Sequence, residues 1–411
     1  MHLSARGSKG ARTGKLRLLV AAFGDAGHAF PAIALARALA ERGHEVTVET
    51  WNRWREAVEE LGLGFYAAEE YTVFPPPAPD GSEGPTAADA AGVLIPMMEE
   101  MRPDLVVSDI LTVAPVLAAE ATGRPWASLV PHVYPPQDPG TPFFAFGFLP
   151  PRTGFGRWVW RRWQPVLEAG LRQGREELNE TRARVGLPAL DRFHGGLSAE
   201  LTLVATFPQL EYPRQWPPHV RVTGPMFFEV PYPDVELPDG EEPLVLVAPS
   251  TAQDPEATLV EAALEALADE PVRVLATTNR MIKAATIDAP ANATVVDWVS
   301  YSQVLPHTDL VISHGGHGTS VRALSEGVPV LACPALGDMA ENGARIAWAG
   351  AGLMLPRRFV RPRELRLAAR RVLADSAFTR RAGEIAAWNR DNDGAERGAE
   401  IVERHAHAVA E

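Results

Sequence analysis

Short, nearly unbroken apolar runs recur along this chain, each closed by a turn of glycine or polar residues. Leu16 to Phe23 is the first, and its pattern predicts a parallel strand buried on both faces. A loop, Gly24 to His28, leads into a helical stretch from about Ala29 to Arg42. Gly43 stops that helix and Glu45 to Thr50 reads as the next strand, which completes a βαβ unit. Further strands are predicted at Leu105 to Ser108, Trp126 to Val130 and Thr202 to Ala205. After Phe228 the alternation starts again, with strand Leu244 to Ala248, helix Glu256 to Ala268 and strands Val272 to Thr277, Thr294 to Val296 and Leu310 to Ser313. Helix Thr319 to Glu326 and strand Val330 to Cys333 follow, and helices at about Pro362 to Asp375, Ala377 to Arg390 and Ala395 to Val409 end the chain. This order predicts an α/β fold of two doubly wound, Rossmann-like domains facing one another across a cleft, with ligands at the carboxyl ends of the strands.

The breaks in the pattern suggest boundaries. Residues 1–14 are basic and rich in Gly, Ser and Ala, and read as a disordered leader ahead of a first domain over 15–228. The Pro- and acid-rich segment 229–242 reads as a linker, 243–390 as the second domain, and 391–411 as a terminal helix. Val73 to Pro85 and Pro131 to Pro151 are Pro-rich and read as long surface loops. The aromatic stretch from Phe143 to Trp163 shows little helical periodicity before Trp158. Core packing and an apolar acceptor pocket, formed by Phe143, Phe144, Phe146 and Trp158, are equally good readings of it.

Composition narrows the function. A length of 411 residues favours two domains. A formal charge of −13 argues against a nucleic-acid partner, which would want a basic face. The single cysteine, Cys333, cannot form an internal disulfide, so a reducing cytoplasm is the expected compartment. No apolar run is long enough for a membrane span. The histidines show no ligand spacing beyond His314 and His317, so no metal site is expected, and no Walker lysine motif points to an ATPase.

Candidate chemistry gathers where strands end. Asp309 to Thr319 reads as a strand that runs into a glycine turn and then a helix. Gly315, Gly316 and Gly318 leave room for a ligand, while the helix start offers N–H groups and the positive end of its dipole to a diphosphate. His314 and Thr319 add side-chain donors. His28 opens the first helix, where the dipole favours a neutral imidazole. Asp109 ends another strand of the same half, so it lies on the same sheet edge and is placed to orient the ring for general-base catalysis. Trp298, followed by Val299, offers an indole either to a nucleobase or to the core. Asp338 and Asn342 lead into a helix, as sugar-hydroxyl ligands or as helix caps.

Together these segments resemble the family 1 glycosyltransferases of the GT-B fold, especially the actinobacterial enzymes that decorate natural products. Gly27-His-Ala-Phe-Pro is similar to the family's GHxxP helix entrance, which implies that His28 is the base and Asp109 the aspartate that orients it. Trp298 matches the base-stacking position, and His314, Gly316, Gly318 and Thr319 match the HxGxGT/S diphosphate loop. Ser250 and Thr251 match a small polar turn that also contacts phosphate, and Pro334, Asp338 and Asn342 fit the donor-sugar box. The resemblance implies a terminal helix from Ala395 that crosses back to the first domain. Three residues depart from the family. Arg322 stands where UDP-sugar users commonly place a ribose-gripping glutamate, and an arginine cannot accept those hydrogen bonds. Met339 replaces a glutamine, and Ser300 and Tyr301 replace Pro-Gln.

The expected activity is inverting, metal-independent transfer of a sugar from a dTDP- or UDP-linked donor to a hydroxyl of a small apolar or aromatic acceptor. No cofactor is implied beyond that co-substrate, and a homodimer is compatible with the sequence. The rival readings are a non-catalytic homologue, a nucleotide-sugar epimerase, and a cell-wall or lipid glycosyltransferase. The last would want a basic or apolar membrane-facing patch, and none is evident in the first half of the sequence.

Overall fold

The computed structural model describes residues 14–68, 86–250, 258–279, 283–335 and 337–410. The predicted leader, apart from Gly14, and the predicted loop over 73–85 lie outside the described residues, as does Thr251. The first half runs β1 (Arg17–Ala21), α1 (Ala26–Glu41), β2 (Glu45–Trp51), α2 (Arg55–Glu60), β3 (Gly64–Ala68), α3 (Ala87–Met101), β4 (Leu105–Asp109), α4 (Val113–Ala121), β5 (Trp126–Val130), α5 (Gly154–Arg184), β6 (Thr202–Val204) and β7 (Val220–Val222). The second runs β8 (Leu244–Ala248), α6 (Thr258–Leu267), β9 (Arg273–Thr277), β10 (Ala293–Val296), α7 (Tyr301–Val304), β11 (Leu310–Ser313), α8 (His317–Ser325), β12 (Val330–Ala332), α9 (Asp338–Ala349), β13 (Gly352–Met354), α10 (Pro362–Ala374), α11 (Ser376–Arg390) and α12 (Gly394–Val409).

The first sheet has the order β3-β2-β1-β4-β5-β6-β7 and the second β10-β9-β8-β11-β12-β13. β1 pairs in parallel with both β2 and β4, and β8 with both β9 and β11. Each sheet therefore reverses its winding once, between β1 and β4 in one and between β8 and β11 in the other. Loops leaving the carboxyl ends of two such strands diverge and leave a crevice.

The apolar runs are the central strands. β4 and β8 are buried at every position, and β1 at all but Arg17. In the first half Leu19 and Val106 pack with Ala91, Leu94 and Met98 of α3 and Leu117 of α4. In the second, Leu246, Val311 and Val330 pack with Leu324 and Ile346, and on the opposite face Val247 and Ile312 pack with Leu264 and Val372. Gly43 ends α1 at φ +93°, a conformation that favours glycine.

Contacts group the chain into two compact units. One is Met1–Leu129 with Glu177–Thr202 and Ala395–Glu411, and the other is Val130–Glu176 with Leu203–Gly394. α12 belongs to the first unit, where Glu403 accepts a hydrogen bond from Arg42 Nε at 2.9 Å. The segment that reads as a linker by composition is pinned within the second unit: Glu229 accepts the backbone N–H of Tyr301 at 2.6 Å, and Arg273 donates to the Pro238 carbonyl at 2.8 Å. The aromatic stretch also differs from expectation. It is irregular to Thr153 and helical from Gly154, and Gly154, Gly156 and Pro165 hide that helix from a search for periodicity.

β2 carries a buried acid. Glu49 is 6% exposed, its Oε2 has no hydrogen-bond partner, and burial pushes its carboxyl up to about 8. The unfolded chain releases this proton near its ordinary pKa of ~4.3, whereas the native state holds it up to about pH 8. Stability from this group is therefore lost as pH rises through that window. Glu49→Gln is expected to stabilise the protein by a few kcal/mol at pH 8 and by little at pH 4. Thermal melts across this range check it, and a gain that does not grow with pH would refute the assignment.

Candidate active site

At the β1/β4 reversal the sequence places a histidine and an aspartate. Asp109 is the last residue of β4 and His28 the third of α1. His28 Nδ1 lies 2.9 Å from Oδ1 and 3.0 Å from Oδ2 of Asp109. The Asp109 side chain is fully buried and that of His28 is 18% exposed. An ionised carboxylate only accepts, so Nδ1 carries the hydrogen in this pair and proton acceptance falls to Nε2. Oδ2 also takes the backbone N–H of Phe23 at 3.2 Å, and the Thr112 hydroxyl donates to the Asp109 carbonyl at 2.8 Å. The β1–α1 loop is held from above as well. A Cβ on Gly24 would lie 1.9 Å from the Trp51 ring, and Trp54 Nε1 donates to the Gly24 carbonyl at 2.7 Å. Phe23, Gly24, Trp51 and Trp54 were not evident as site residues; the only local signal is a glycine directly after a strand.

At the β8/β11 reversal, in the second unit, Ser313 ends β11 and α8 begins at His317, two residues earlier than the pattern predicts. Gly316 is the N-cap and supplies no side-chain cap to the first turn of α8. Gly315 has φ +81°, and a Cβ there would lie 2.9 Å from the Met339 carbonyl oxygen. Its N–H donates to Ser313 Oγ at 3.2 Å and its carbonyl accepts from Asn342 Nδ2 at 3.1 Å. His314 Nδ1 is 3.4 Å from the Ala248 carbonyl, which bridges the two strands that flank the crevice. Gly318 is exposed, with nothing within 4 Å of an added Cβ. The Thr319 hydroxyl is 3.1 Å from that of Tyr301. His317 turns inward. It is 7% exposed, burial pulls its imidazole down to about 3, and its Nε2 is 3.4 Å from the Ala205 carbonyl.

α9 carries the candidate sugar ligands. Asp338 opens it and is half-buried, while Met339 and Asn342 are buried at 8% and 3% exposure. The Asn342 amide nitrogen is committed to the Gly315 carbonyl, so this residue braces the loop. Farther along α9 the buried Arg345 bonds Glu341 at 2.9 Å and Glu211 at 2.7 Å. The aromatic loop meets the start of the same helix: a Cβ on Gly147 would lie 2.9 Å from Cβ of Ala340. Phe143 packs with Phe146 and Trp160 at ring centroid separations of 5.8 and 5.7 Å, and Phe144 with His132 at 5.9 Å. Trp158 is not part of that cluster and stacks instead on Phe155 at 5.8 Å.

Trp298 is half-buried, 6.4 Å from the Tyr232 ring, and Val299 is buried among core residues. Ser250 is buried beyond the end of β8. Arg322 donates to the Phe228 carbonyl and lies 5.5 Å over the Phe227 ring, near the Glu229 carboxylate. No group of three or more His, Cys, Asp or Glu suited to a metal ion occurs among the described residues.

Known proteins share this plan. A family model described as the erythromycin biosynthesis protein CIII-like C-terminal domain matches residues 261–406, and one for the glycosyltransferase family 28 N-terminal domain matches residues 18–73. The chain is 30% identical over 395 residues to 4'-demethylrebeccamycin synthase of Lentzea aerocolonigenes, covering 88% of this chain and 93% of the relative. It is 27% identical to O-mycaminosyltylonolide 6-deoxyallosyltransferase of Streptomyces fradiae, covering 95% and 98%. Among solved structures, the glycosyltransferase of kitacinnamycin superposes with a TM-score of 0.74 at 23% identity, over 95% of this chain and 99% of that one. VinC in complex with dTDP superposes with a TM-score of 0.68 at 22% identity, over 96% and 100%.

Two glycine substitutions separate the stability of the loop from its binding capacity. Gly315→Ala meets both the positive φ and the Met339 carbonyl, and is expected to cost roughly 2–4 kcal/mol. Gly318→Ala meets open space within α8, so its melting temperature should be no lower than the parent's, and weaker nucleotide diphosphate binding is the outcome expected if this turn is the diphosphate site. Melts and titrations on both variants check this, and equal losses of stability would contradict it.

Proposed function

Because the chain belongs to the natural-product glycosyltransferases of the GT-B fold, we propose that it moves a sugar from a dTDP-linked donor to a hydroxyl of a small apolar or aromatic acceptor with inversion. The acceptor oxygen attacks the anomeric carbon as the bond from that carbon to the diphosphate oxygen breaks. His28 Nε2 takes the hydroxyl proton, and Asp109 holds the ring and stabilises the imidazolium that forms. The leaving diphosphate is received by the 314–319 loop, where helix N–H groups and the His314 imidazole stabilise its charge without a metal ion. The observation that carries the reading is the two-oxygen contact of Asp109 with His28 Nδ1, which commits one ring nitrogen and supports base chemistry at the other.

The donor reading rests on Arg322 and Met339. With its guanidinium on the Phe228 carbonyl, Arg322 offers nothing that accepts from a ribose 2′-hydroxyl. A deoxyribose nucleotide needs no such acceptor. Met339 cannot accept strongly from sugar hydroxyls, which suits a deoxysugar. The solved relative VinC holds dTDP, and the Streptomyces fradiae relative is named for a 6-deoxy sugar.

Two measurements test these points. His28→Ala is expected to lower turnover by about 10²–10⁴-fold while nucleotide affinity stays unchanged; near-full turnover would remove His28 as the base. Calorimetric titration should give tighter binding of dTDP than of UDP, and the reverse order would overturn the Arg322 argument.

A further inference from the structure

One buried guanidinium of the second unit holds both ends of the aromatic loop. Arg345 of α9 is fully buried between two carboxylates, donating from Nε to Glu341 at 2.9 Å and from Nη1 to Glu211 at 2.7 Å. Glu211 also accepts the backbone N–H of Tyr134 at 2.7 Å. Burial raises the Glu341 carboxyl and Glu211 adds to this, while Arg345 and the backbone N–H of Ala145 favour its charged form. Tyr134 and Ala145 bracket the segment that carries Phe143 and Phe144. The backbone at the second end is bent to make its contact. Ala145 has φ +73°, a conformation that L side chains rarely adopt. Gly147 follows at φ +67°, and a Cβ there would lie 2.9 Å from both Cβ and the carbonyl oxygen of Ala340, the residue before Glu341.

We propose that Glu341, held by Arg345, is a positioning residue for the acceptor: it seats the loop of Phe143, Phe144 and Phe146 on the first turn of α9, which also carries Asp338 and Met339. This rests on the transferase reading above. Two carboxylates share one guanidinium, so each needs a further donor to stay charged out of water. The loop supplies one to each, from Tyr134 and from Ala145. Buried ion groups add little net stability over an apolar replacement; what this one fixes is where the loop stands on the helix. That position matters to the reaction. An acceptor hydroxyl must reach an anomeric carbon held at the same turn, and a misplacement of about 1 Å can cost about 10²-fold in rate.

The test titrates the full chain and its variants with 2-naphthol, an apolar aromatic acceptor probe, and separately with dTDP. Glu341→Ala removes the acceptor of the Ala145 N–H, and Gly147→Ala pushes the loop off Ala340 without touching the ion group. Each is expected to weaken 2-naphthol binding about tenfold while dTDP affinity stays within about twofold of the parent. Glu341→Gln keeps an oxygen for the Ala145 N–H and should recover most of the naphthol affinity. Gly147→Ala carries the test if Glu341→Ala does not fold. Equal 2-naphthol affinity in the parent and Gly147→Ala overturns the proposal. So does a loss of dTDP affinity in step with that of naphthol, which is a general loosening of the second unit. A parent that binds dTDP but no 2-naphthol overturns it too and leaves the transferase reading standing, whereas a parent that binds neither removes both.

Discussion

Both candidate sites depend on one constraint of parallel sheets: every strand delivers its following loop to the same edge. Where the winding reverses, the two loops leave in opposite directions and the backbone between them is open. Reversal at β1/β4 sets the β1–α1 loop beside the end of β4, and reversal at β8/β11 sets the glycine turn beside the end of β8. Several polar groups in these sites find their partners through that adjacency. Asp109 is tolerated as a fully buried group because Phe23 N–H and the His28 ring approach it from the neighbouring strand's loop. The Gly315 turn is tight because α9 presses on it: the Met339 carbonyl fills the space a Cβ would need, and Asn342 caps the Gly315 carbonyl. The groups of both candidate sites thus inherit their precision from strand pairing.

The same constraint explains what the sequence made legible. Central strands are buried on both faces, so β4, β8 and β11 stand out as apolar runs, and the residues just after them are candidates by position alone. Edge elements are not. β3 mixes exposed and half-buried positions and has no run to find, and α3 announces itself only through a Thr86–Asp89 capping box. Side-chain direction was less legible still. His317 and His314 are three residues apart and read alike, but α8 starts at His317 and turns it into the fold. Asn342 reads as a sugar ligand or a helix cap, and its amide nitrogen bonds the Gly315 carbonyl, a contact neither reading contains. These outcomes depend on long-range packing, of α9 against the turn and of α8 against Ala205, which no local pattern encodes.

Arg322 shows how a departure at one position is absorbed elsewhere. A half-buried guanidinium needs acceptors and a counter-charge. It finds the Phe228 carbonyl as acceptor and Glu229 as the nearby opposite charge. Glu229 in turn receives the N–H groups of Tyr301 and Ser302 at the start of α7, and Tyr301 passes the connection to the Thr319 hydroxyl in the first turn of α8. The segment that composition marks as a linker is therefore part of the second unit's wiring. A carboxylate remains in the neighbourhood, but it comes from the linker and not from α8, and it already accepts two backbone N–H groups.

Charge and aromatic content are distributed to the same effect. Residues 143 to 166 have two parts: Gly147 lies against Ala340 of α9 and Phe143 packs on Trp160, while Phe155, Trp158, Trp163 and Val166 are turned to solvent. Burying the second group against the protein would gain apolar area, and an isolated helix face of this kind is not retained for stability. It lies next to a loop whose Gly147 rests on Ala340 of α9.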